Sequence, residues 1–431
     1  MKKREAVTIA INTLSEDGCG YSEDGKFAVY GSIAGEVVSA IPLTRKRQRL
    51  YLNTTEVLEA SPDRVEPACA AASVCGGCSF QHMTQQSQLT LKSQYLKEQL
   101  APLEPVEWLD PVLGSEFQYR TKARLGVKFV EKKGRLLVGF REKQKPFITD
   151  IDHCPILAET CGQLIGDLEG LIEQLSIMRA VPQVELAAGD EAVALVFRHL
   201  EPLSDNDYET LKLFSETTGY GIYLQPSGPE SVVQAFPESG AGTISYSVPE
   251  FELTFDFAPL DFTQVNLGVN RQMISLAHSL LDLSEADHVL DAFCGIGNFS
   301  LALARSAGRV TGLELSAQSI ARAELNALAN NIKNVAFSVA DLHADPLELP
   351  VEVRFNKVLL DPPRSGAEAL VKGLATRDIE RVVYVSCNPE SIARDANILC
   401  NQGFTLQTAG IINMFPHTTH VESIASFRRQ T

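Results

Sequence analysis

The sequence lacks any long apolar run, since no stretch approaches the roughly 20 consecutive residues that a membrane-spanning helix needs. It also lacks a secretory pattern at its start, because Ala6–Ile11 is too short and too alternating for the apolar part of a signal peptide. Internal repeats and low-complexity tracts are missing as well. We therefore expect a cytoplasmic protein with no membrane partner, and 431 residues predict two or three globular domains.

Positive charge is scarce, with 38 Lys and Arg against 54 Asp and Glu and a net charge of −16. Such a balance counts against a nucleic-acid partner, because cations neutralise the phosphates. Residues 115–150 reverse it locally, with ten cations against four acids. Within them Arg120–Lys128 alternates cations with apolar residues at the period of a β-strand. Either a solvated charged face or an RNA-contacting face fits, and Arg45–Arg49 is a second basic cluster.

The cysteines are odd in number, nine in all, which argues against a disulfide framework and for metal binding or catalysis. Cys69, Cys75 and Cys78 lie close together around two glycines, and Cys154 precedes a proline far downstream. Four thiolates so arranged could hold a [4Fe-4S] cluster, with four-coordinate zinc as the physical alternative. Four other cysteines are expected only to pack: Cys19, Cys161, Cys294 and Cys400.

The secondary-structure pattern changes along the chain. Residues 6 to about 60 consist of short strand-like runs separated by turn signals, which predict a five-stranded, OB-like β-barrel. Strands and helices then alternate without an evident chemical motif, apart from the cysteines, to about residue 257. After Pro259, apolar strands alternate with helices, a pattern typical of a parallel, doubly wound sheet. These strands are expected at 287–292, 309–314, 335–341, 357–361 and 381–386.

We therefore predict an α/β protein with three domains. The boundaries are 1–61 for the barrel, 62–260 for a central α+β domain that carries the cysteines and the basic strand, and 261–431 for a Rossmann-like domain. A helix near 85–113 is a candidate to pack on the last domain.

A glycine-rich turn, Asp291–Asn298, follows the first strand of the last domain. Such turns let a nucleotide-like ligand approach the backbone at the carboxyl edge of the sheet. Glu314 ends the second strand, where an acid accepts hydrogen bonds from ribose hydroxyls, and Asp341 ends the third, where it would face an adenine. Because the third glycine of a dinucleotide fingerprint is missing, the pattern favours S-adenosylmethionine over NAD.

A thiol, Cys387, ends the fifth strand immediately before a helix, for which Asn388 and Pro389 predict the N-cap and the first position. The positive end of a helix dipole can lower a thiol pKa and make the sulfur nucleophilic, although buried packing is the plain alternative. Asp361–Arg364 ends the fourth strand and resembles the acidic Pro-Pro motif of methyltransferases that act on planar nitrogen-containing rings.

This placement suggests methylation of C5 of a uracil. A thiolate that adds to C6 makes C5 nucleophilic toward a sulfonium methyl group, and a base must then remove the C5 proton. Glu422, the single acid in an otherwise apolar terminal strand, is the candidate base, with His417 and His420 as competitors.

Four motifs together resemble the RNA uracil-C5 methyltransferase family: Phe262–Asn266, Asp361–Arg364, Val385–Pro389 and His420–Ser423. The resemblance implies that Cys387 is the nucleophile and Glu422 the base. It also implies that S-adenosylmethionine is lined by six residues: Gln264, Phe293, Asn298, Glu314, Asp341 and Asp361. Close relatives often carry an amide where this chain has Asp341.

The cysteine arrangement resembles the ribosomal branch of that family, whose N-terminal barrel is a TRAM domain. The resemblance implies methylation of 23S ribosomal RNA, with uridine 1939 as the expected target and uridine 747 or a tRNA as alternatives. We expect a monomer, an unpaired or flipped uridine with Phe262 as a stacking partner, and a structural role for the cluster. An RNA cytosine-C5 methyltransferase and a non-catalytic RNA-binding protein remain as other classes.

Overall fold

The computed structural model describes residues 5–161, 164–238, 244–344 and 354–430. The strands, in chain order, are β1 Val7–Ala10, β2 Thr13–Leu14, β3 Cys19–Tyr21, β4 Phe27–Tyr30, β5 Val37–Lys46, β6 Arg49–Glu59, β7 Glu107–Trp108, β8 Lys122–Val130, β9 Arg135–Gly139, β10 Gln183–Ala188, β11 Val193–Arg198, β12 Gly221–Gln225, β13 Val233–Phe236, β14 Ile244–Val248, β15 Leu253–Phe257, β16 His288–Ala292, β17 Arg309–Glu314, β18 Val335–Val339, β19 Lys357–Leu360, β20 Arg381–Ser386, β21 Phe404–Ile412 and β22 Glu422–Arg429. The α-helices are α1 Gln85–Leu100, α2 Leu164–Glu173, α3 Asp205–Thr218, α4 Leu267–Leu281, α5 Ser300–Leu303, α6 Ala317–Ala329, α7 Glu368–Gly373 and α8 Pro389–Asn401.

The chain divides into two compact units. The first comprises Met1–Lys92, Glu116–Gly242 and Pro416–Thr419, and the second comprises Ser93–Ser115, Thr243–Phe415 and His420–Thr431. Within the described ranges, every helix is too short or too polar to cross a bilayer.

The first unit begins with a sheet of six strands in the order β1-β5-β6-β4-β3-β2, one strand more than expected. Its edge strands β1 and β2 are parts of one extended segment, in which Ile11 bonds to Glu36 and Asn12 bonds to Tyr21 through their backbone amides (both 2.8 Å). Three register shifts bend the β5–β6 pair. The sheet therefore closes into a barrel-like form around a small apolar core.

A second sheet in the first unit has the order β13-β12-β11-β10-β8-β9. Strand β8 shows the predicted alternation, because Ala123, Leu125 and Val127 are buried while Arg124 and Lys128 are exposed. The apolar face of β8 contributes to a core that also takes in the buried residues of α2.

Four of the ten cations in the basic segment 115–150 form ion pairs within the first unit. Arg124 pairs with Glu185 on β10 (3.1 Å), and three further cations of the segment also have carboxylate partners. These are Lys133 with Asp150, Arg135 with Asp150 and Glu169, and Lys145 with Glu142. Of these partners only Glu185 and Glu169 lie outside the segment, so most of its local excess of positive charge remains.

The second unit is built on an eight-stranded sheet in the order β18-β17-β16-β19-β20-β22-β21-β7. The five strands from β16 to β20 are parallel to their neighbours, and each lies within two residues of its predicted range. Strands β17 and β18 are added to the sheet on one side of β16, and β19 is then added on the other side of β16. The carboxyl ends of β16 and β19 therefore form the switch point where such sheets bind ligands.

Two stretches assigned to the central domain by the sequence lie in the second unit. They are the hairpin of β14 and β15, which precedes the predicted boundary at 260/261, and Ser93–Ser115. The helix near 85–113 ends at Leu100, where Leu96 and Leu100 join the core of the second unit. The three-domain division itself stays a prediction.

Candidate active site

The glycine-rich turn wraps around the end of β17. Phe293, Gly295 and Gly297 have positive φ angles of 67°, 53° and 90°, so the chain can reverse sharply after β16. The amide of Phe293 donates to the carbonyl of Leu313 (2.8 Å), and the amide of Gly295 donates to Oε2 of Glu314 (3.3 Å). Glu314 therefore lies beside the turn at the end of its strand, as predicted.

Two carboxyl groups, of the buried Asp291 and the half-buried Asp361, meet at the switch point. Burial raises the pKa of Asp291 to about 7, and burial followed by the nearby Asp291 raises the pKa of Asp361 to about 7. Oδ1 of Asp291 has no hydrogen-bond partner within the described part of the chain, and its Oδ2 accepts from Ser300. An acidic pair of this kind suits a cationic ligand, because a nearby positive charge favours the ionised carboxyl. Asp291 was not singled out as a ligand from the sequence, although it begins the glycine-rich turn.

The side chain of Asn298 forms hydrogen bonds with other residues of the protein. Its Oδ1 accepts from the hydroxyl of Tyr246 (2.8 Å) and from Asn270 (2.9 Å), and its amide donates back to Asn270 (3.0 Å). These bonds fasten the end of the turn to β14 and α4. A direct role of the side chain in binding a ligand stays a prediction.

The other predicted ligand-lining residues differ in exposure. Asp341 is exposed and lies two residues beyond the end of β18, where its carboxylate accepts from the amide of His343 (3.0 Å). Phe293 is half-buried, and its ring centre lies 5.4 Å from that of His343. Gln264 is half-buried ahead of α4, and Phe262, the expected stacking partner, is 75% exposed. An exposed ring of this size is available for stacking with an RNA base.

Cys387 lies between β20 and α8, as predicted. Asn388 has extended backbone angles and accepts from the amide of Glu390 (3.1 Å), and Pro389 is the first helical residue, so the predicted N-cap is confirmed. Strand β20 pairs with β22 in the register that sets Ser386 opposite Ser423. Cys387 and Glu422, the neighbours of these serines, therefore come together at one end of two adjacent strands.

The electrostatics around Cys387 oppose ionisation of the thiol. Burial, then Glu422 and Asp361, raise the pKa of Cys387 to about 11, while Arg364 lowers it. The net pKa is therefore raised, in contrast to the lowering that the position at a helix terminus predicts. Burial and Asp361 likewise raise the pKa of Glu422 well above its usual range, again opposed by Arg364. A carboxylate with a raised pKa is a stronger base once it is ionised.

Arg364 links the Pro-Pro loop to the segment that carries Glu422. Its guanidinium donates to Nδ1 of His420 (2.7 Å), and Asn388 donates to its carbonyl oxygen (3.0 Å). His420 thus lies with the site, as a partner of Arg364. His417, the other candidate base, is buried in the first unit, where its Nδ1 lies 3.2 Å from Nε2 of Gln88.

The four predicted ligand cysteines are free thiols of the first unit, with Cys75 and Cys78 buried and Cys69 and Cys154 half-buried. Cys78 and Cys154 belong to the same apolar cluster. The amide of Gly77 donates to the sulfur of Cys75 (3.4 Å), and Gln81 donates to that of Cys78 (3.2 Å).

Burial favours the neutral thiols, whereas the hydrogen bonds to two of the sulfurs favour the thiolates. Burial raises the pKa of Cys78 to about 12 and that of Cys154 to about 11, so without a metal both remain neutral while N–H groups point at two of the sulfurs. Within the described ranges, no three His, Cys, Asp or Glu side chains converge closely enough to hold a single metal ion. The predicted cluster and its four cysteine ligands therefore stay a prediction.

The comparisons agree with one another. The sequence model of the family described as tRNA (Uracil-5-)-methyltransferase matches residues 84–430. The chain is 45% identical to the 23S rRNA (uracil(1939)-C(5))-methyltransferase RlmD of Hahella chejuensis, over 99% of this chain and 98% of that protein. It is 44% identical to the protein of the same name from Legionella pneumophila strain Corby, over 98% and 97%. A solved structure, the Pyrococcus abyssi tRNA (uracil-54, C5)-methyltransferase in complex with S-adenosyl-L-homocysteine, superimposes with a TM-score of 0.75 at 27% identity, covering 98% of this chain and 100% of that one.

Proposed function

Because the chain belongs to the tRNA (Uracil-5-)-methyltransferase family, we propose that it transfers a methyl group from S-adenosyl-L-methionine to C5 of uridine 1939 in 23S ribosomal RNA. The observation that carries the chemistry is the meeting of Cys387 and Glu422 at the ends of β20 and β22. The choice of RNA rests on relatives of near-identical length that are named for that uridine.

The reaction needs a nucleophile and a base on this chain. The thiolate of Cys387 adds to C6 of the flipped uracil, which leaves an enolate. C5 of this enolate bonds to the methyl carbon as the bond from that carbon to the donor's sulfur breaks, and S-adenosyl-L-homocysteine leaves. Glu422 then takes the proton from C5, and β-elimination breaks the C6–S bond and restores the thiolate. Arg364 favours the ionised forms of both groups because its positive charge offsets the nearby acids.

The methyl donor is held at the switch point of the sheet. Its sulfonium supplies the methyl group, and the two carboxyl groups of Asp291 and Asp361 favour that positive charge. Glu314 binds the ribose hydroxyls. The remaining lining residues are Gln264, Phe293, Asn298 and Asp341.

The first unit carries two accessory elements. Cys69, Cys75, Cys78 and Cys154 hold a [4Fe-4S] cluster with a structural role, which the burial of Cys75 and Cys78 and the N–H groups aimed at their two sulfurs support. The barrel of β1–β6 is a TRAM domain that binds RNA, which its closed six-stranded form supports. The domains are therefore the barrel, a cluster-bearing central domain and the methyltransferase domain, in a chain that acts as a monomer.

Trapping the covalent intermediate tests the chemistry. The protein is incubated with S-adenosylmethionine and a 23S fragment that carries 5-fluorouridine at position 1939, since fluorine at C5 blocks the elimination. We expect a denaturant-stable protein–RNA adduct with the wild type and with Cys400→Ala, a half-buried thiol outside the site, but none with Cys387→Ala.

Two further experiments of the same kind identify the catalytic base and the RNA substrate. Glu422→Gln should accumulate the adduct even on unsubstituted RNA, because the C5 proton is not removed. The wild type should form no adduct when position 1939 is cytidine or when the fragment is replaced by a tRNA transcript. An adduct that survives Cys387→Ala would reject the assigned nucleophile.

A further inference from the structure

A cleft of about 440 Å³ lies in the first unit beside the glycines of the cysteine loop. Its volume falls within the roughly 300–1,000 Å³ of small-ligand sites. Tyr30 and Phe140 supply aromatic wall, and Gly76 and Gly77 present backbone without side chains. No residue of the catalytic site lines this cleft, so the proposed methyl transfer does not explain it.

The barrel presents three tyrosines and two cations, which we term the tyrosine–cation surface: Tyr21, Tyr30, Tyr51, Lys46 and Arg49. The rings of Tyr30 and Tyr51 are stacked with their centres 6.1 Å apart. Arg49 lies over the ring of Tyr21 at 4.6 Å, and Lys46 lies over that of Tyr51 at 5.8 Å. Aromatic rings interleaved with cations are the recurring surface for single-stranded nucleic acid.

The cleft and the tyrosine–cation surface are continuous through Gln144. The side-chain amide of Gln144 donates to the hydroxyl of Tyr30 (2.7 Å), and Lys46 donates to the side-chain oxygen of Gln144 (2.6 Å). Tyr30 belongs to both features, since it lines the cleft and stacks on Tyr51. A strand of RNA that follows the surface can therefore place a base in the cleft.

The tyrosine–cation surface and the cleft differ in charge. Arg45, Lys46, Arg47 and Arg49 are exposed around the turn between β5 and β6, and none of them pairs with a carboxylate in the described part of the chain. The cleft is balanced, because it contains the cations of Arg141 and Lys143 and the acids of Asp17 and Glu142. Phosphates are therefore favoured at the turn, and an uncharged aromatic group such as a base is favoured in the cleft.

We propose that this face binds a single-stranded segment of the substrate RNA outside the target uridine. Its phosphates lie on Arg45–Arg49, and one of its bases enters the cleft against Tyr30. This inference rests on the proposed function, because the RNA is the substrate named there. It also gives a chain of net charge −16 a place to hold a polyanion, since the four cations at this turn form no ion pair in the described part of the chain, whereas four of the ten cations of segment 115–150 do.

Binding of the holoprotein to a labelled 23S fragment, measured by fluorescence anisotropy over a series of salt concentrations, tests the proposal. Tyr30→Leu should weaken binding roughly 5-fold to 100-fold through the loss of one stacked base. Tyr30→Phe keeps the ring and should bind within about twofold of the wild type. A fall with Tyr30→Phe equal to that with Tyr30→Leu would overturn the stacking role.

The cations are tested with a matched pair of double variants. Arg45→Ala with Arg47→Ala should reduce the slope of log affinity against log salt by about 1.4, since each lost phosphate contact on a single strand contributes ~0.7. Arg124→Ala with Lys128→Ala removes the same charge from the exposed face of β8 and should leave that slope unchanged. The reverse result would assign the RNA to β8 and overturn the proposal. Thermal unfolding midpoints of all variants confirm that the barrel is folded.

Methyl transfer to the same fragment separates this proposal from the proposed function. Variants at Tyr30 and Arg45–Arg47 should raise KM for RNA and leave kcat unchanged. If the variants bind the fragment as tightly as the wild type and the wild type methylates it, the inference about this face is rejected and the proposed function stands. A wild type that binds through this face and transfers no methyl group would reject the proposed function and keep the inference.

Discussion

Arg364 is the residue whose charge decides how readily the two proposed catalytic groups ionise. Cys387 is half-buried and Glu422 is buried, and both lie near acids, so each has a pKa above its ordinary value, and Arg364 lowers both. The same guanidinium holds His420 at 2.7 Å, which fixes its direction. A cation that serves both groups also links the Pro-Pro loop to the strand that carries the base.

Replacement of Arg364 by Gln should move the pH profile of the reaction. Both Cys387 and Glu422 must lose a proton to act, and both have raised pKa values, so kcat/KM should rise with pH through the neutral and alkaline range. Without the arginine the pKa of each group rises further, so the rising limb moves to higher pH and kcat/KM at pH 7 falls roughly 10-fold to 100-fold. The measurement is kcat/KM against pH with the 23S fragment.

Lys372→Gln is the control for that experiment, because it removes an exposed cation of α7 whose partner is Glu368. Its profile should coincide with that of the wild type. A uniform fall in the Arg364→Gln rate at every pH would mean that the arginine only positions substrate.

At the scale of elements, α8 anchors the loop that carries Asp361 and Arg364. Asp395 of α8 is fully buried and accepts hydrogen bonds from the amide of Ala367 and the hydroxyl of Tyr384, both at 2.6 Å. The neighbouring Arg394 donates to the carbonyl of Ser365 (2.8 Å). The helix that begins at the nucleophile therefore also fixes the end of the Pro-Pro loop.

Asp395→Asn should loosen this loop at little change in volume. Oδ2 of Asp395 accepts from Ala367 and Tyr384 and Oδ1 accepts from Arg394, so an NH₂ group in either position leaves a donor without its acceptor, and we expect a loss of about 2 kcal/mol in the free energy of unfolding. A lower kcat should accompany it, because Arg364 is held less firmly. Urea denaturation and single-turnover methylation measure the two effects. Asp378→Asn, at an exposed site, should stay within ~0.5 kcal/mol of the wild type, and an Asp395 variant equal to it would refute the anchor.

The elements could be predicted from the sequence where their determinants are local. Apolar runs located β16–β20, and Asn388 with Pro389 marked the start of α8, because a cap is decided within a few residues. The bonds of Asn298 to Tyr246 and of Arg124 to Glu185 could not be predicted, since these partners are far apart in sequence and meet only through the sheet order. The raised pKa of Cys387 escaped prediction for the same reason, because burial and the approach of Glu422 are properties of the folded chain.

At the scale of the whole molecule, the proposed cluster and the proposed methyl-donor site belong to different units. Cys69, Cys75, Cys78 and Cys154 are all in the first unit, whereas the glycine-rich turn and Cys387 are in the second. Each unit has its own apolar core. Removal of the metal should therefore affect the two units unequally.

Cys154→Ala should release the cluster and lower the thermal midpoint of the first unit, because the thiolates join parts of that unit that are distant in sequence. RNA binding should weaken, while calorimetric titration with S-adenosyl-L-homocysteine should give an affinity within about twofold of the wild type. Cys161→Ala is the matched control, since it removes a buried thiol of the same unit outside the proposed ligand set and should keep the full iron content. Iron and zinc analysis of the wild type identifies the metal, and a parallel loss of S-adenosyl-L-homocysteine binding in Cys154→Ala would show that the donor site depends on the cluster.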